Sequence, residues 1–181
     1  VTLTRIYDIQ GTGATSALAG ATVTAQGIVT AVASNGYYLQ DVAGDGNDAT
    51  SDGIFVFTGG APAAGIVAGA LVNTTGRVSE FTPAGADPGA LSITQITATS
   101  STVVGNAALP TPVVLGTGGR VPPTADLAAA VAFYESLEGM LVTVPSPLAT
   151  GPRNGFGEIF TVANGGASAT GLNGRGNILT T

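Results

Sequence analysis

Cysteine, histidine, lysine and tryptophan are all missing from the 181 residues. Without cysteine there is no disulfide, thiolate metal site or cysteine nucleophile. Without histidine and lysine the commonest general bases, the imidazole metal ligands and the Schiff-base amines are gone as well. Ser51 beside Asp52 therefore lacks a base of the Ser-His or Ser-Lys kind, and the expectation is a chain with no catalysis of its own. Charge is scarce too, at 9% of residues, and the formal net charge is −6. The five basic residues are all arginine and lie apart, at Arg5, Arg77, Arg120, Arg153 and Arg175. Strong phosphate-driven binding needs clustered cations, so the sequence argues against it. No apolar run reaches the roughly 20 residues of a spanning helix, and stretches such as 61–72 are broken by Pro62, Gly65 and Gly69. No membrane span is expected. The chain opens at Val1 without a signal-like apolar segment and reads as an excised or processed piece of a longer protein.

What is present is β-forming sequence. The hydrophobic fraction of 44% comes largely from Ala and Val on a background of 28 Gly with many Thr and Ser, the composition of short strands joined by tight turns. Residues 21–30 predict a long strand bent at Gly27. Asn35-Gly36 is a turn signal, and Tyr37 to Asp41 reads as the return strand of a hairpin. A polar loop over 43–52 leads to a third strand at Gly53-Ile54-Phe55-Val56-Phe57. Residues 70–79 and 91–97 supply a fourth and a fifth. Five short strands in about eighty residues match a small Greek-key barrel of the OB kind.

Beyond it the composition changes. Residues 106–123 hold four of the ten prolines and the Gly116 to Gly119 run, and read as a linker with a short strand at Val113 to Leu115. A helix is expected over 127–137, capped by Thr124 or Asp126, with Leu127, Val131, Tyr134 and Leu137 on one face. Met140 to Val144 follows as a strand. Leu18 to Thr24 is echoed by Leu137 to Thr143, and Asn35-Gly36-Tyr37 by Asn154-Gly155-Phe156, which suggests a partial second β unit. The expected organisation is a lead-in over 1–17, a barrel over 18–105, a linker over 106–123, a helix with partial β unit over 124–164 and a flexible tail over 165–181.

Several blocks together resemble the OB-like domain of bacterial extracellular nucleases. They are Ile6-Tyr7-Asp8-Ile9-Gln10-Gly11-Thr12-Gly13, Gly36-Tyr37-Tyr38-Leu39-Gln40-Asp41 and Ala49-Thr50-Ser51-Asp52-Gly53-Ile54-Phe55-Val56, with Thr94-Gln95-Ile96, Leu137 to Val142 and Gly155 to Glu158. The similarity extends to about Asn164. In that family the domain precedes an endonuclease/exonuclease/phosphatase catalytic domain. The resemblance thus implies a secreted, non-catalytic accessory domain of a nuclease or phosphoesterase, partnered by a catalytic domain of the same polypeptide. It carries over no catalytic site, because that site uses histidine and acidic metal ligands, and this chain has no histidine.

Two constellations could bind something. Asp41, Asp45, Asp48 and Asp52, with Asn47, place four of eleven acidic residues within twelve positions flanked by glycines, an oxygen-rich loop of the kind that holds calcium, although the spacing is not that of an EF-hand. Against this, Asp and Asn favour solvated turns in any case. On a barrel face, Tyr37, Tyr38 and Phe55 would stack the bases of single-stranded nucleic acid, and Arg77 would meet phosphate. Neighbours on a strand point oppositely, so only one of Tyr37 and Tyr38 faces out; Phe55 and Phe57, two apart, share a face, and against their use in stacking stands the favoured reading that this face is the core. Glu135 and Glu138 could share a helix face as a solvated pair. Gly11 to Gly13 and Gly116 to Gly119 lack the Lys-Ser/Thr and helix of a phosphate loop. The reading is an all-β protein, an OB-like Greek-key barrel followed by a short helix and a partial second β unit. Its alternative role is a structural, calcium-stabilised spacer of a cell-surface protein.

Overall fold

The computed structural model describes residues 2–87, 89–155, 157–167 and 169–174. Phe156, Arg175 and the end of the expected tail lie outside them. The chain divides into two units, one made of Val1–Thr111 with Val131–Leu141 and one of Pro112–Ala130 with Val142–Thr181. The expectation of a mainly β protein holds.

The first unit is built on five strands: β1 (Thr22–Ala33), β2 (Gly36–Gln40), β3 (Gly53–Phe57), β4 (Ala70–Phe81) and β5 (Ile93–Asn106). They pair in a ring-like sheet. β1 lies antiparallel between β2 and β4, β2 pairs antiparallel with β3, and β4 with β5. The sheet returns on itself through β3 and β5, which run parallel, with Phe55 opposite Gln95 and Phe57 opposite Thr97. Strand alternation decides which side chains fill the ring. Val23 and Ala25 point inward from β1, Tyr37 and Leu39 from β2, Ile54 and Val56 from β3, Val72 and Val78 from β4 and Ile96 from β5, and all are buried. The intervening residues of β1 and β4 face outward as matched polar pairs, Thr24 with Thr75 at 2.9 Å and Gln26 Nε2 donating to Asn73 Oδ1 at 2.8 Å.

Several details differ from the sequence expectation. The register of β1 against β2 shifts between Val29 and Ala31, past the bend expected at Gly27. The hairpin turn is Ser34-Asn35, since Ala33 already pairs with Gly36. Gly36 belongs to the strand, and its missing side chain leaves room for the Phe55 ring, whose Cζ would stand 2.5 Å from a β-carbon there. The last strand runs nine residues beyond the expected end at Thr97. Nor is 1–17 a mere lead-in: a short helix, α1 (Ile6–Gln10), buries Ile6 and Ile9 completely in the ring core. Five residues with two isoleucines three apart were too short to signal a helix, yet three apart is the spacing that puts both on one face.

In the second unit the strands are two residues long. β6 (Val113–Val114) pairs parallel with β7 (Val142–Thr143), and β8 (Leu148–Ala149) pairs antiparallel with β9 (Thr161–Val162). The strand expected over 140–144 is thus reduced to β7. The helix expected over 127–137 is α2 (Leu127–Glu135), of which 127–130 belong to this unit and 131–135 to the first, and it buries none of its residues: Leu127 is 81% and Tyr134 56% exposed. Ser136 and Leu137, just beyond its end, are buried. With three alanines between Leu127 and Val131, the helix has too little apolar volume on one side to demand a covering partner. Among the described residues no helix is long and apolar enough to cross a membrane.

Candidate functional site

Four outward-facing strands place the aromatic and arginine candidates in two neighbouring rows. Tyr38 lies opposite Phe55, Phe55 opposite Gln95, and Gln95 opposite Ser79. In the next row Gly36 lies opposite Phe57, Phe57 opposite Thr97, and Thr97 opposite Arg77. With strands about 4.8 Å apart, Arg77 sits roughly 10 Å across the sheet from Phe57, and the rows are about 7 Å apart along the strands. The Tyr38 and Phe55 rings stand 5.0 Å apart, tilted by 56°, the arrangement of a stabilising cross-strand aromatic pair. Tyr38 is 37% exposed, and Phe55 and Phe57 are half-buried. The expectation that both phenylalanines belong to the core is therefore corrected: Ile54 and Val56 take the inward positions of β3. Arg77 is exposed and its Nε donates to the Gly20 carbonyl at 3.2 Å. Beside it opens a groove of ≈ 460 Å³ lined by Ala19, Gly20, Arg77, Ser79, Glu80 and Thr97, with Val78 at its base.

Tyr37 does not join this face. It is wholly buried, and its hydroxyl meets Thr74 Oγ1 at 2.5 Å and Ser101 Oγ at 2.7 Å inside the ring. Burial raises its pKa above the ordinary tyrosine value, and the two hydroxyl contacts partly offset that. As a base-stacking candidate it is removed by the alternation that brings Tyr38 outward.

The acidic loop is organised by protein donors. Asp41 is buried, pairs with Arg5 and accepts the backbone N–H groups of Ile6 at 3.4 Å and Ala43 at 3.2 Å. It thereby ties the N-terminal segment to the end of β2. Asp45 accepts Asn47 N–H at 2.9 Å and the Thr50 hydroxyl at 2.8 Å, and Asn47 Oδ1 accepts Ala49 N–H at 3.1 Å, a succession of side-chain-closed turns. Asp48 is exposed. Asp52 is partly buried with its Oδ1 lacking a hydrogen-bond partner. Desolvation, helped by Asp45 and Asp41, raises its pKa. Among the described residues no three acidic side chains come together as a group that could hold a metal ion.

A second carboxylate cluster forms around Glu138, where the sequence predicts only a solvated helix pair with Glu135. Glu138 is partly buried, and its Oε1 is buried without a hydrogen-bond partner, while the neighbouring Gln10 and Thr94 act to lower its pKa. Desolvation first, then Glu135 and Glu80, push its pKa up to about 7. Glu135 is raised by desolvation and by Glu80. Glu80 itself is held by Ser16 N–H at 2.8 Å, Thr94 Oγ1 at 2.9 Å and Ser92 Oγ at 2.6 Å. Glu80 and Thr94 are 58 and 44 positions away from Glu138 in sequence, so no local signal announces the cluster.

In comparison with known proteins, residues 103–181 are similar to a family described as a domain of unknown function (DUF8508). That match covers less than half of the chain, beginning in the last residues of β5 and taking in all of β6 to β9. No curated protein matches the sequence.

Proposed function

We propose that the chain is a non-catalytic accessory domain of a secreted bacterial nuclease or phosphoesterase, its ring an OB-like Greek-key barrel that helps hold single-stranded nucleic acid for a catalytic domain of the same polypeptide. The observation that carries this is the pair of outward rows, in which Tyr38, Phe55 and Phe57 lie beside Thr97 and Arg77. Aromatic rings stack bases without regard to sequence, and an arginine at the end of the row meets a phosphate. The strand order β1-β2-β3-β5-β4, with its parallel β3–β5 pair, supports the OB-like reading, as does the resemblance of the Gly36 to Asp41 and Ala49 to Val56 blocks. The net charge of −6 opposes a polyanion, so binding is weak and falls steeply with salt.

Fluorescence anisotropy of labelled single-stranded oligonucleotides at low salt tests it. Binding is expected, weakened about fivefold or more by Tyr38→Ala, since one stacked base contributes about 1–3 kcal/mol. Arg77→Ala is expected to weaken it and to flatten its salt dependence. Absence of binding at low salt overturns the reading and leaves the spacer role. For that role the partnerless Asp52 Oδ1 beside Asp45 and Asp41 makes calcium the ion to titrate, with a rise in melting temperature as the readout.

A further inference from the structure

After α2 the chain returns to the ring and is fastened there. Ser51 Oγ donates to the Glu138 carbonyl at 2.6 Å, and Leu141 N–H donates to Gln40 Oε1 at 2.9 Å. Gln40 points outward from β2, in the row next to Tyr38 and Phe55, yet it is buried, as is Gly53 opposite it. Between these two hydrogen bonds the backbones of Gly53 and Gly139 touch: a β-carbon on Gly53 would overlap the Gly139 carbonyl, and one on Gly139 would stand 2.8 Å from Ile54 N. Both glycines follow a carboxylate. Asp52 precedes Gly53 and Glu138 precedes Gly139, and each keeps one buried oxygen without a partner. A seam of glycine backbone is thus flanked on both sides by acidic groups that are better accommodated neutral than charged, since an ionised oxygen buried without a donor is destabilising.

We propose that the segment 131–141 is a proton-operated clasp, seated on the ring while the carboxyl of Glu138 is protonated and loosened when it ionises. The charged groups around Glu138 all act the same way, since Glu135 from α2 and Glu80 from β4 are both acidic and raise its pKa; the neutral groups Gln10 from α1 and Thr94 from β5 act in the opposite sense without reversing it. Around Asp52 the loop residues Asp45 and Asp41 oppose ionisation and Arg5 favours it, with the two aspartates the larger influences. For an acid whose pKa is higher in the seated state, the seated state binds more protons. Its stability is therefore fully present below the ordinary carboxyl value of 4.5 and is lost as pH rises through about 7. When the clasp opens, Gln40 and Gly53 are uncovered and the exposed aromatic face gains a row. The proposal does not depend on what that face binds.

Amide hydrogen exchange of the whole chain, corrected for intrinsic rates, is the measurement. Between pH 5 and pH 8 the protection of residues 131–141 is expected to fall about tenfold or more relative to that of β1 and β3, the full linkage being reduced because the carboxyl is partly solvated. Glu138→Gln, which mimics the protonated acid, is expected to hold that protection nearly constant across the range. Protection that does not change with pH overturns the proposal, as does an unchanged slope in Glu138→Gln. Should that variant not fold, carbon-13 carboxyl titration of the unaltered chain decides: a Glu138 midpoint near the ordinary glutamate value overturns the clasp, and one raised well above it supports it.

Discussion

The two units invest their apolar residues in opposite ways. The ring unit gathers Ile6, Ile9, Leu39, Ile54, Val56, Val72, Val78, Ile96 and their neighbours into one cluster with almost no exposure. In the other unit no hydrophobic residue among those described is buried; Val121 is 61%, Phe160 64% and Ile159 56% exposed. Strand length follows the same division, with five to fourteen residues in the ring against two in each strand of the second unit. Hydrophobic burial is the main favourable term in folding, and among the described residues it is concentrated in the ring unit. The family match takes in all of the second unit, together with residues 103–111 and 131–141 of the first.

The largest test of that contrast is a cavity in the ring. Ile54→Ala is expected to lower unfolding free energy by about 2–5 kcal/mol in denaturant titration, because Ile54 has no exposure and lies in the core cluster of the ring. A loss under 1 kcal/mol would break the comparison. Smaller, and aimed at the polar heart of the ring, is Tyr37→Phe. It removes the hydroxyl that meets Thr74 and Ser101 and leaves buried Thr74 with only the 3.4 Å contact to Ser101. A loss of about 1–3 kcal/mol is expected by the same titration. The smallest effect belongs to the second unit: Val142→Ala, at a strand position 38% exposed, should change the transition by no more than about 0.5 kcal/mol. A cost there equal to that of Ile54→Ala would show a core that the exposures do not reveal.

The ring was legible in the sequence wherever strand period and turn chemistry agreed. Gly53 to Phe57 was bounded correctly because β-branched and aromatic residues run uninterrupted between polar loops. The side each residue faces was less legible: a strand apolar at every position, such as Ile54-Phe55-Val56-Phe57, has no polar residue to mark its outside, and the phase was set by pairing with β2. Alternation alone requires that one of Tyr37 and Tyr38 face outward, but it does not say which. Asp41 read as part of an oxygen-rich loop, yet its partner, Arg5, lies thirty-six positions away. Glu138 was invisible for the same reason, since burial made by α1, β4 and β5 leaves no trace in a helix-spaced pair of glutamates.

The parallel pairing of β3 with β5 also dictates an order of assembly. The β1–β2 hairpin closes across two residues, whereas Phe55 finds Gln95 at a separation of 40 positions, after β4 has been laid down in between. Local hairpins form in microseconds, and distant pairings wait on loop closure. On the ribosome the ring cannot close until the residues around Thr97 have emerged. Until then β3 presents an unpaired, aromatic edge that can pair with another nascent chain. Slow synthesis or truncation just short of β5 would therefore favour aggregation over misplaced function.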